Sequence, residues 1–269
     1  MSNLEALCAD LAAEQAALDA LVAPLDEDGW STPTPAEGWT VRDQIAHLAN
    51  GDESGRRTVV DPEAFREQAA LPRVFRERRY LERARTMTGA QVLAWWRTAR
   101  AALVETYRPL DPATRITWHG PTMSARTFVT ARLMEAWAHG QDVADALGVS
   151  RPATARLRHI AHLAVIARGW SYKAHGLIPP TGEVRVELVG PNGEQWTWGD
   201  ADAANRVRGT ALDFCLVATR RRHVADTALV AEGPLATEWL PLAQTYAGPP
   251  GPGRAPGAFR RREATAADS

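Results

Sequence analysis

The stretch that decides the fold is TVRDQIAHLANG, residues 40–51, read together with RLMEAWAHGQDVADALG, residues 132–148. Apolar residues recur at helical spacing in both, so each predicts an amphipathic helix. Glu135 and His139 are four residues apart, and one helix face therefore presents both side chains, one turn above the other. In a small antiparallel bundle these two helices lie side by side, which would bring His47 of the first helix to that pair.

The types of these three side chains make them candidates for a metal site. Two imidazole nitrogens and a carboxylate oxygen form a His₂Glu set that holds a divalent ion and leaves a position open for water or substrate. Each residue also has an ordinary interpretation, because most E-x-x-x-H pairs are solvated and most single histidines of this kind are satisfied core residues. Apolar neighbours such as Leu133 and Trp137 favour the metal, since an unpartnered buried carboxylate is costly.

Asp142 continues the face that carries His139. It is interpreted either as an acceptor that orients an imidazole or as a surface charge. Cys8 and Cys215 are the only two cysteines, and both lie in apolar patterns. They are predicted to be buried thiols, not a disulfide or a catalytic pair.

The composition of the 269 residues limits the classes of function. Hydrophobic residues make up 45% and charged residues 23%, and the net charge is −1, as in ordinary soluble domains. A nucleic-acid binder would need a basic face, so no nucleic-acid partner is expected. The sequence has no apolar run near ~18 residues and no signal-peptide pattern at its start. We expect a cytoplasmic protein without a membrane partner, as a monomer or a homodimer.

Helical spacing predicts the bundle. The helices expected are residues 3–23, a second beginning at Thr40 with Asp43 as the reciprocal acid of a capping box, a third over 88–107, and a fourth over 124–147. Ser124 caps the fourth helix and Gly148 ends it. A fifth runs from 152 to about 174. The Arg-rich residues 61–85 are weakly periodic and are interpreted as an insertion, with helix as one option, between the second and third helices.

The pattern changes after residue 180. EVRVELVG, residues 183–190, alternates and predicts a strand, PNGE supplies an Asn-Gly turn, and QWTWG is the returning strand. Residues 202–222 predict a helix, ALVAEGP another strand, and LATEWLPLAQTYAG a final helix. The fold class is therefore α+β, with a helical bundle at 1–178, a small α/β domain at 179–247, and a mobile tail at 248–269.

A resemblance adds to these residues. GWTVRDQIAHLA, preceded by TPTPAE, resembles the N-terminal metal-binding motif of the DinB-like four-helix bundles, and more narrowly that of the mycothiol-dependent maleylpyruvate isomerase family. The WTWG hairpin and ALDFCLVATRR are similar to the family's C-terminal domain. The resemblance implies a DinB-like up-down bundle followed by a small α/β domain. It implies that His47, Glu135 and His139 bind a divalent metal, usually zinc, and that mycothiol is the thiol cosubstrate.

The chemistry that this resemblance implies is activation of the thiol. A thiolate adds to a cis double bond conjugated to a carbonyl, the resulting single bond rotates, and loss of the thiolate gives the trans isomer. In an S-transferase the thiolate attacks an electrophile and stays attached. The family places a substrate-binding arginine near Arg220, for which the alternative is a basic helix end that complements its own dipole.

The predicted function is therefore a metal-dependent, mycothiol-using isomerase or S-transferase that acts on a small electrophilic acid. Two alternatives remain open at this point. One is a non-catalytic metal- or ligand-binding protein with the same bundle. The other is a metal-dependent hydrolase, in which water of lowered pKa takes the open position.

Overall fold

Helices dominate the first unit of the chain, Met1–Pro152. In chain order they are α1 (Asn3–Val22), α2 (Glu27–Trp30), α3 (Val41–Val60), α4 (Pro62–Ala70), α5 (Arg73–Arg85), α6 (Gly89–Tyr107) and α7 (Ala125–Leu147). A short antiparallel pair, β1 (Arg115–Ile116) and β2 (Met123–Ser124), precedes α7. The structure is a computed structural model that describes residues 3–120 and 122–259.

Four of these helices form the bundle that the sequence predicts. Both α1 and α3 pack against α6 and α7, so each helix of the four has two neighbours. The apolar stripe of α3, with Ile45 and Leu48, is buried against side chains such as Trp96 of α6. Full burial of a large apolar side chain contributes roughly 1.5–3 kcal/mol, and this stripe therefore fixes which face of α3 points inward.

The helix ends follow local signals in the sequence. The side chain of Thr40 accepts from the backbone N–H of Asp43, and the Asp43 carboxylate accepts from Thr40 in return, which is the predicted capping box. Ser124 caps α7, and Gly148 ends it at a φ of 66°, a left-handed conformation that glycine adopts without strain. These predicted boundaries are confirmed.

The Arg-rich segment 61–85 is helical and packs on the bundle. Asp61 caps α4 and Pro62 begins it, both common at a helix start. One face of α5 is buried, with Tyr80, Leu81 and Ala84, and α5 packs along α3. The predicted insertion is therefore helical, and its buried face packs along α3.

The second unit, Ala153–Ser269, mixes helices with a sheet. Its elements are α8 (Leu157–Ile166), α9 (Arg168–Ala174), β3 (Arg185–Val189), β4 (Gln195–Trp198), β5 (Arg206–Thr210), α10 (Ala211–Ala218), β6 (Val230–Glu232) and α11 (Pro234–Leu242). The strand order is β4-β3-β5-β6, with β3 and β5 parallel and the other pairs antiparallel. The predicted hairpin of β3 and β4 and the α+β class are confirmed.

Three element predictions differ from the structure. The helix predicted over 202–222 is the strand β5 followed by α10, because Val207 and its neighbours pair with β3 inside the sheet. The helix predicted from 152 to 174 is α8 and α9, which are separated at Ala167. The helix predicted over 235–248 ends at Leu242.

The division into units also differs from the predicted boundary after residue 178. The change of unit falls between Pro152 and Ala153, because α8 packs against α10 and so groups with the sheet. Of the predicted mobile tail, residues 260–269 lie outside the described residues. Within its described part, the backbone N–H of Gly257 donates to the Asp226 carboxylate.

Two further predictions from composition concern the thiols and the membrane. Cys8 and Cys215 are both buried and free, and burial raises the pKa of each thiol. Neither forms a disulfide, as predicted. Within 3–120 and 122–259, none of the helices combines the length and the apolar character needed to cross a bilayer.

Candidate metal centre

His47, Glu135 and His139 meet at the packing interface of α3 and α7. The Nε2 atom of His47 lies 3.1 Å from Oε2 of Glu135, and the Nε2 atom of His139 lies 3.2 Å from the same oxygen. One candidate ligand atom from each of the three residues lies within 4.8 Å of the other two. The structure thus brings together residues that are 88 positions apart in the chain.

The position of each side chain follows from the helix that carries it. Glu135 and His139 are one turn apart on α7, so both point the same way. His47 lies beside the buried stripe of α3, and it points inward at the edge of that stripe. The side chains of His47, Glu135 and His139 are 29%, 22% and 14% exposed. The cluster is therefore sheltered but can be reached by a small molecule.

A chain of hydrogen bonds places a proton on Nδ1 of His139. The Thr34 hydroxyl donates to the backbone carbonyl of Trp39 at 2.9 Å, so its oxygen accepts from Nε2 of Gln44 at 2.9 Å. The other end of that amide, Oε1 of Gln44, must then accept from Nδ1 of His139, at 2.5 Å. A neutral His139 with this proton on Nδ1 turns the lone pair of Nε2 toward Glu135, whereas a protonated His139 donates from Nε2 to Glu135.

His47 has a comparable outer partner. Its Nδ1 atom lies 3.0 Å from the hydroxyl oxygen of Tyr80, which comes from α5. Trp39 lies beside both imidazoles, with its ring centroid 5.4 Å from that of His47 and 6.1 Å from that of His139. Hydrogen bonds to the outer nitrogens and contact with an indole hold both rings in place, as is usual for histidines that bind metals.

Two pKa shifts describe the charge of the cluster. Burial by itself raises the pKa of Glu135, but hydrogen bonds from His139 and His47 outweigh burial and hold that pKa well below its usual range. Burial, followed by the neighbouring His139, lowers the pKa of His47. The carboxylate is therefore ionised and His47 favours its neutral form, which are the protonation states that metal ligands require.

The donor set fits a divalent ion. Ligands at 2.0–2.1 Å from a tetrahedral zinc ion are separated by about 3.3 Å, and the two Nε2 atoms lie 3.1 and 3.2 Å from Oε2 of Glu135. When Nε2 of His139 carries no proton, its lone pair faces the lone pairs of the ionised Glu135 carboxylate. These groups repel unless a proton or a metal cation lies between them.

Two residues of this network are not singled out by the sequence prediction. Gln44 is three residues before His47 on α3, so its helical spacing was a signal that could have found it. Tyr80 lies in the segment interpreted as an insertion, and nothing in its local pattern points to His47. Asp142 is 1% exposed, which contradicts its interpretation as a surface charge. The acceptor that orients His139 is Gln44.

Arg220, the predicted substrate-binding residue, lies in the second unit just after α10. It has a φ of 62°, which is rare for a residue other than glycine. Its guanidinium nitrogens lie 3.4 Å from the backbone carbonyl oxygens of Pro241 and Gly251. These contacts position the side chain within its own unit, and its role toward a substrate stays a prediction.

Comparison with known proteins identifies relatives over most of the chain. A family model described as the mycothiol maleylpyruvate isomerase N-terminal domain matches residues 11–144. A second model, described as wyosine base formation, matches residues 180–232. Two uncharacterized proteins from two strains of Mycobacterium tuberculosis are each 48% identical over 250 residues, which cover 91% of this chain and 97% of theirs.

Solved structures with the same fold are also known. The crystal structure of the mycothiol-dependent maleylpyruvate isomerase is similar with a TM-score of 0.60 and 16% sequence identity. A mutant of that enzyme gives a TM-score of 0.59. Each comparison covers 87% of this chain and 95% of the other chain, so the similarity in fold extends over both units.

Proposed function

Because the chain belongs to the mycothiol maleylpyruvate isomerase family, we propose that it is a divalent-metal enzyme that uses mycothiol. It would act as an isomerase or an S-transferase on a small electrophilic acid. The observation that carries the proposal is the convergence of His47, Glu135 and His139, with the outer nitrogen of His139 committed to Gln44. Zinc is the expected metal, since it binds this His₂Glu set with an open position.

Each residue of the site has a role in this proposal. His47, Glu135 and His139 would hold the ion, which when bound favours the thiolate form of a thiol, the nucleophile. Gln44 keeps the proton of His139 on Nδ1, and Nε2 of His139 therefore stays available as a ligand atom. Trp39 shields one side of both imidazoles from water. Arg220 would bind the carboxylate of the acid, in accord with the family's pattern.

The two candidate reactions differ in what happens to the carbon–sulfur bond. In the isomerase, this bond forms at one carbon of the cis double bond and breaks again after rotation, so the thiol is regenerated. In the S-transferase, the bond persists and the electrophile leaves with sulfur attached. Consumption of free thiol during turnover therefore distinguishes the two.

The first test is metal content. Elemental analysis of the purified protein is expected to give one divalent ion per chain, and His47→Ala should lose most of it together with thiol-dependent turnover. A matched control is His119→Ala, because His119 is an exposed histidine of the same unit whose ring nitrogens contact Arg76. Full metal occupancy in His47→Ala would rule out the assigned ligands.

The second test is a screen of small electrophilic acids with the metal-loaded protein, with mycothiol present and absent. Turnover only with mycothiol supports the proposal. Turnover without any thiol would instead identify a hydrolase. A protein that holds the metal but converts none of the acids under either condition would favour the non-catalytic binding protein.

A further inference from the structure

A cleft of about 710 Å³ opens on the outer side of the first unit, between α3, α4, α5 and α6. We call it the α5 cleft and define it by Glu53, Arg79, Tyr80, Arg83 and Trp95, which are among its lining residues. Its volume lies within the range of small-molecule sites, which is about 300–1,000 Å³.

The lining carries an excess of positive charge. Five arginines and three glutamates face the α5 cleft. Arg79 and Arg83 are four residues apart on the same face of α5, where like charges repel. In the described part of the chain, neither forms an ion pair with a carboxylate. A bound anion would relieve this repulsion.

The guanidinium of Arg83 is held ready for such an anion. It lies over the ring of Trp95, 4.1 Å from the ring centroid. The Trp95 indole N–H in turn donates to Glu53 at 2.8 Å, which fixes the orientation of the ring. A guanidinium stacked on an aromatic face keeps its N–H edge free, and that edge matches a carboxylate with two parallel hydrogen bonds.

An apolar surface adjoins these charges. Leu71 and Phe75 also line the α5 cleft, and they are 46% and 64% exposed. Exposed large apolar side chains next to paired cations suit a molecule with an apolar body and one acidic group. A small inorganic anion would leave this surface uncovered.

The α5 cleft is separate from the candidate metal centre. Tyr80 lines the cleft and contacts Nδ1 of His47, whereas Nε2 of His47 faces Glu135. These nitrogens are on different edges of the imidazole, so the ring of His47 stands between Tyr80 and the ligand atoms. A molecule in the cleft therefore does not need the metal or the thiol to bind.

We propose that the α5 cleft binds an amphipathic organic acid, with its carboxylate on Arg79 and Arg83 and its apolar body against Phe75 and Leu71. This site goes beyond the proposed thiol chemistry, and its existence does not depend on that chemistry.

Calorimetric titration with 4-phenylbutyrate tests the site, and the uncharged 4-phenylbutan-1-ol is the neutral analogue. Saturable binding of the acid is expected, with at least tenfold weaker binding of the alcohol. The double variant Arg79→Gln/Arg83→Gln should bind the acid at least tenfold more weakly. The matched double variant Arg56→Gln/Arg66→Gln removes the same charge from exposed positions on α3 and α4 that do not line the cleft, and should bind within threefold of the wild type.

A third arm separates this site from the metal. Binding of the acid to His139→Ala should stay within threefold of the wild type, because the carboxylate is not a ligand of the ion and His139 does not line the cleft. Loss of binding in that variant would place the acid on the metal and overturn the proposal. The absence of saturable binding would overturn it too, as would equal losses in the two double arginine variants. Failure of the thiol-dependent screen leaves each of these outcomes unchanged.

Discussion

Substitution of Gln44 by leucine tests the hydrogen-bond chain behind the candidate metal centre. Gln44 is fully buried, accepts from His139 and donates to Thr34. Leucine keeps the volume and removes both hydrogen bonds. In the metal-free protein the proton of His139 can move to Nε2 and donate to Glu135, which is 3.2 Å away. With a metal on Nε2 the proton must stay on Nδ1, where it has no acceptor. The missing hydrogen bond therefore destabilises the metal-bound state more than the metal-free state.

The expected size of the effect follows from that difference. A sheltered N–H without an acceptor costs about 1–3 kcal/mol. At about 1.4 kcal/mol per factor of ten, this cost corresponds to roughly 5- to 150-fold in metal affinity. Removal of the outer hydrogen-bond partner of a metal-binding histidine generally weakens metal affinity about 10- to 100-fold. We therefore expect the Kd for zinc to rise about 10- to 100-fold in Gln44→Leu.

Competition with a chromophoric chelator measures the zinc Kd. Gln44→Glu is the conservative variant, because a carboxylate can still accept from His139, and its Kd should return to within about tenfold of the wild type. Gln141→Leu is the matched control, since the Gln141 amide on α7 donates to Asp145 instead of to the cluster. A Kd for Gln44→Leu within threefold of the wild type would refute the argument that this amide holds the proton of His139.

Three further predictions concern stability, each measured as the free energy of unfolding in urea. Asp52→Asn leaves the buried guanidinium of Arg132 without its 2.9 Å ion pair and should cost about 3–5 kcal/mol; a cost below about 1 kcal/mol would contradict this. Hydrogen bonds from arginines of α6 hold the pKa of Asp19 below its usual range. The stabilisation from Asp19 is thus present above the unfolded pKa of about 3.9 and is lost as the pH falls through the lower folded pKa. Asp19→Asn should cost about 1–2 kcal/mol at neutral pH and progressively less as the pH falls below about 3.9, and a cost that does not change with pH would be evidence against the argument. In Gly55→Ala, the new Cβ would lie 2.7 Å from a phenylalanine ring of α7, so a loss of about 1–3 kcal/mol is expected. Gly169→Ala is the control, because among the described residues only its chain neighbours and its own helix backbone could come within 4 Å of the new Cβ, and it should gain about 0.4–1 kcal/mol.

Helix ends and the bundle were predictable because their determinants are local. Thr40 and Asp43 are three residues apart and complete a capping box without help from the rest of the chain. The hairpin of β3 and β4 was predictable for the same reason, since the short loop between Gly190 and Glu194, with Gly193 at a φ of 84°, sets its register. Val207 was assigned wrongly because its strand exists only through pairing with β3, which lies about 20 residues earlier in the chain.

The candidate site shows the same distinction between local determinants and long-range packing. His47, Glu135 and His139 could be proposed from sequence, because residue type and i,i+4 spacing already limit what a helix face can hold. The assignment of Tyr80 to His47 depends on how α5 lies along α3, and no local pattern encodes that packing.

The sequence by itself determined the four bundle helices, the caps at Thr40 and Ser124, the hairpin and the chemical types of the three candidate ligands. Only the tertiary structure decided that ligand atoms of the two imidazoles and the carboxylate lie within 4.8 Å of one another, that Gln44 accepts from His139, and that Arg79 and Arg83 face the α5 cleft. The physical reason is range. Backbone conformation and amphipathic periodicity act within a few residues, whereas the direction of a side chain toward a distant helix depends on the packing of the whole core.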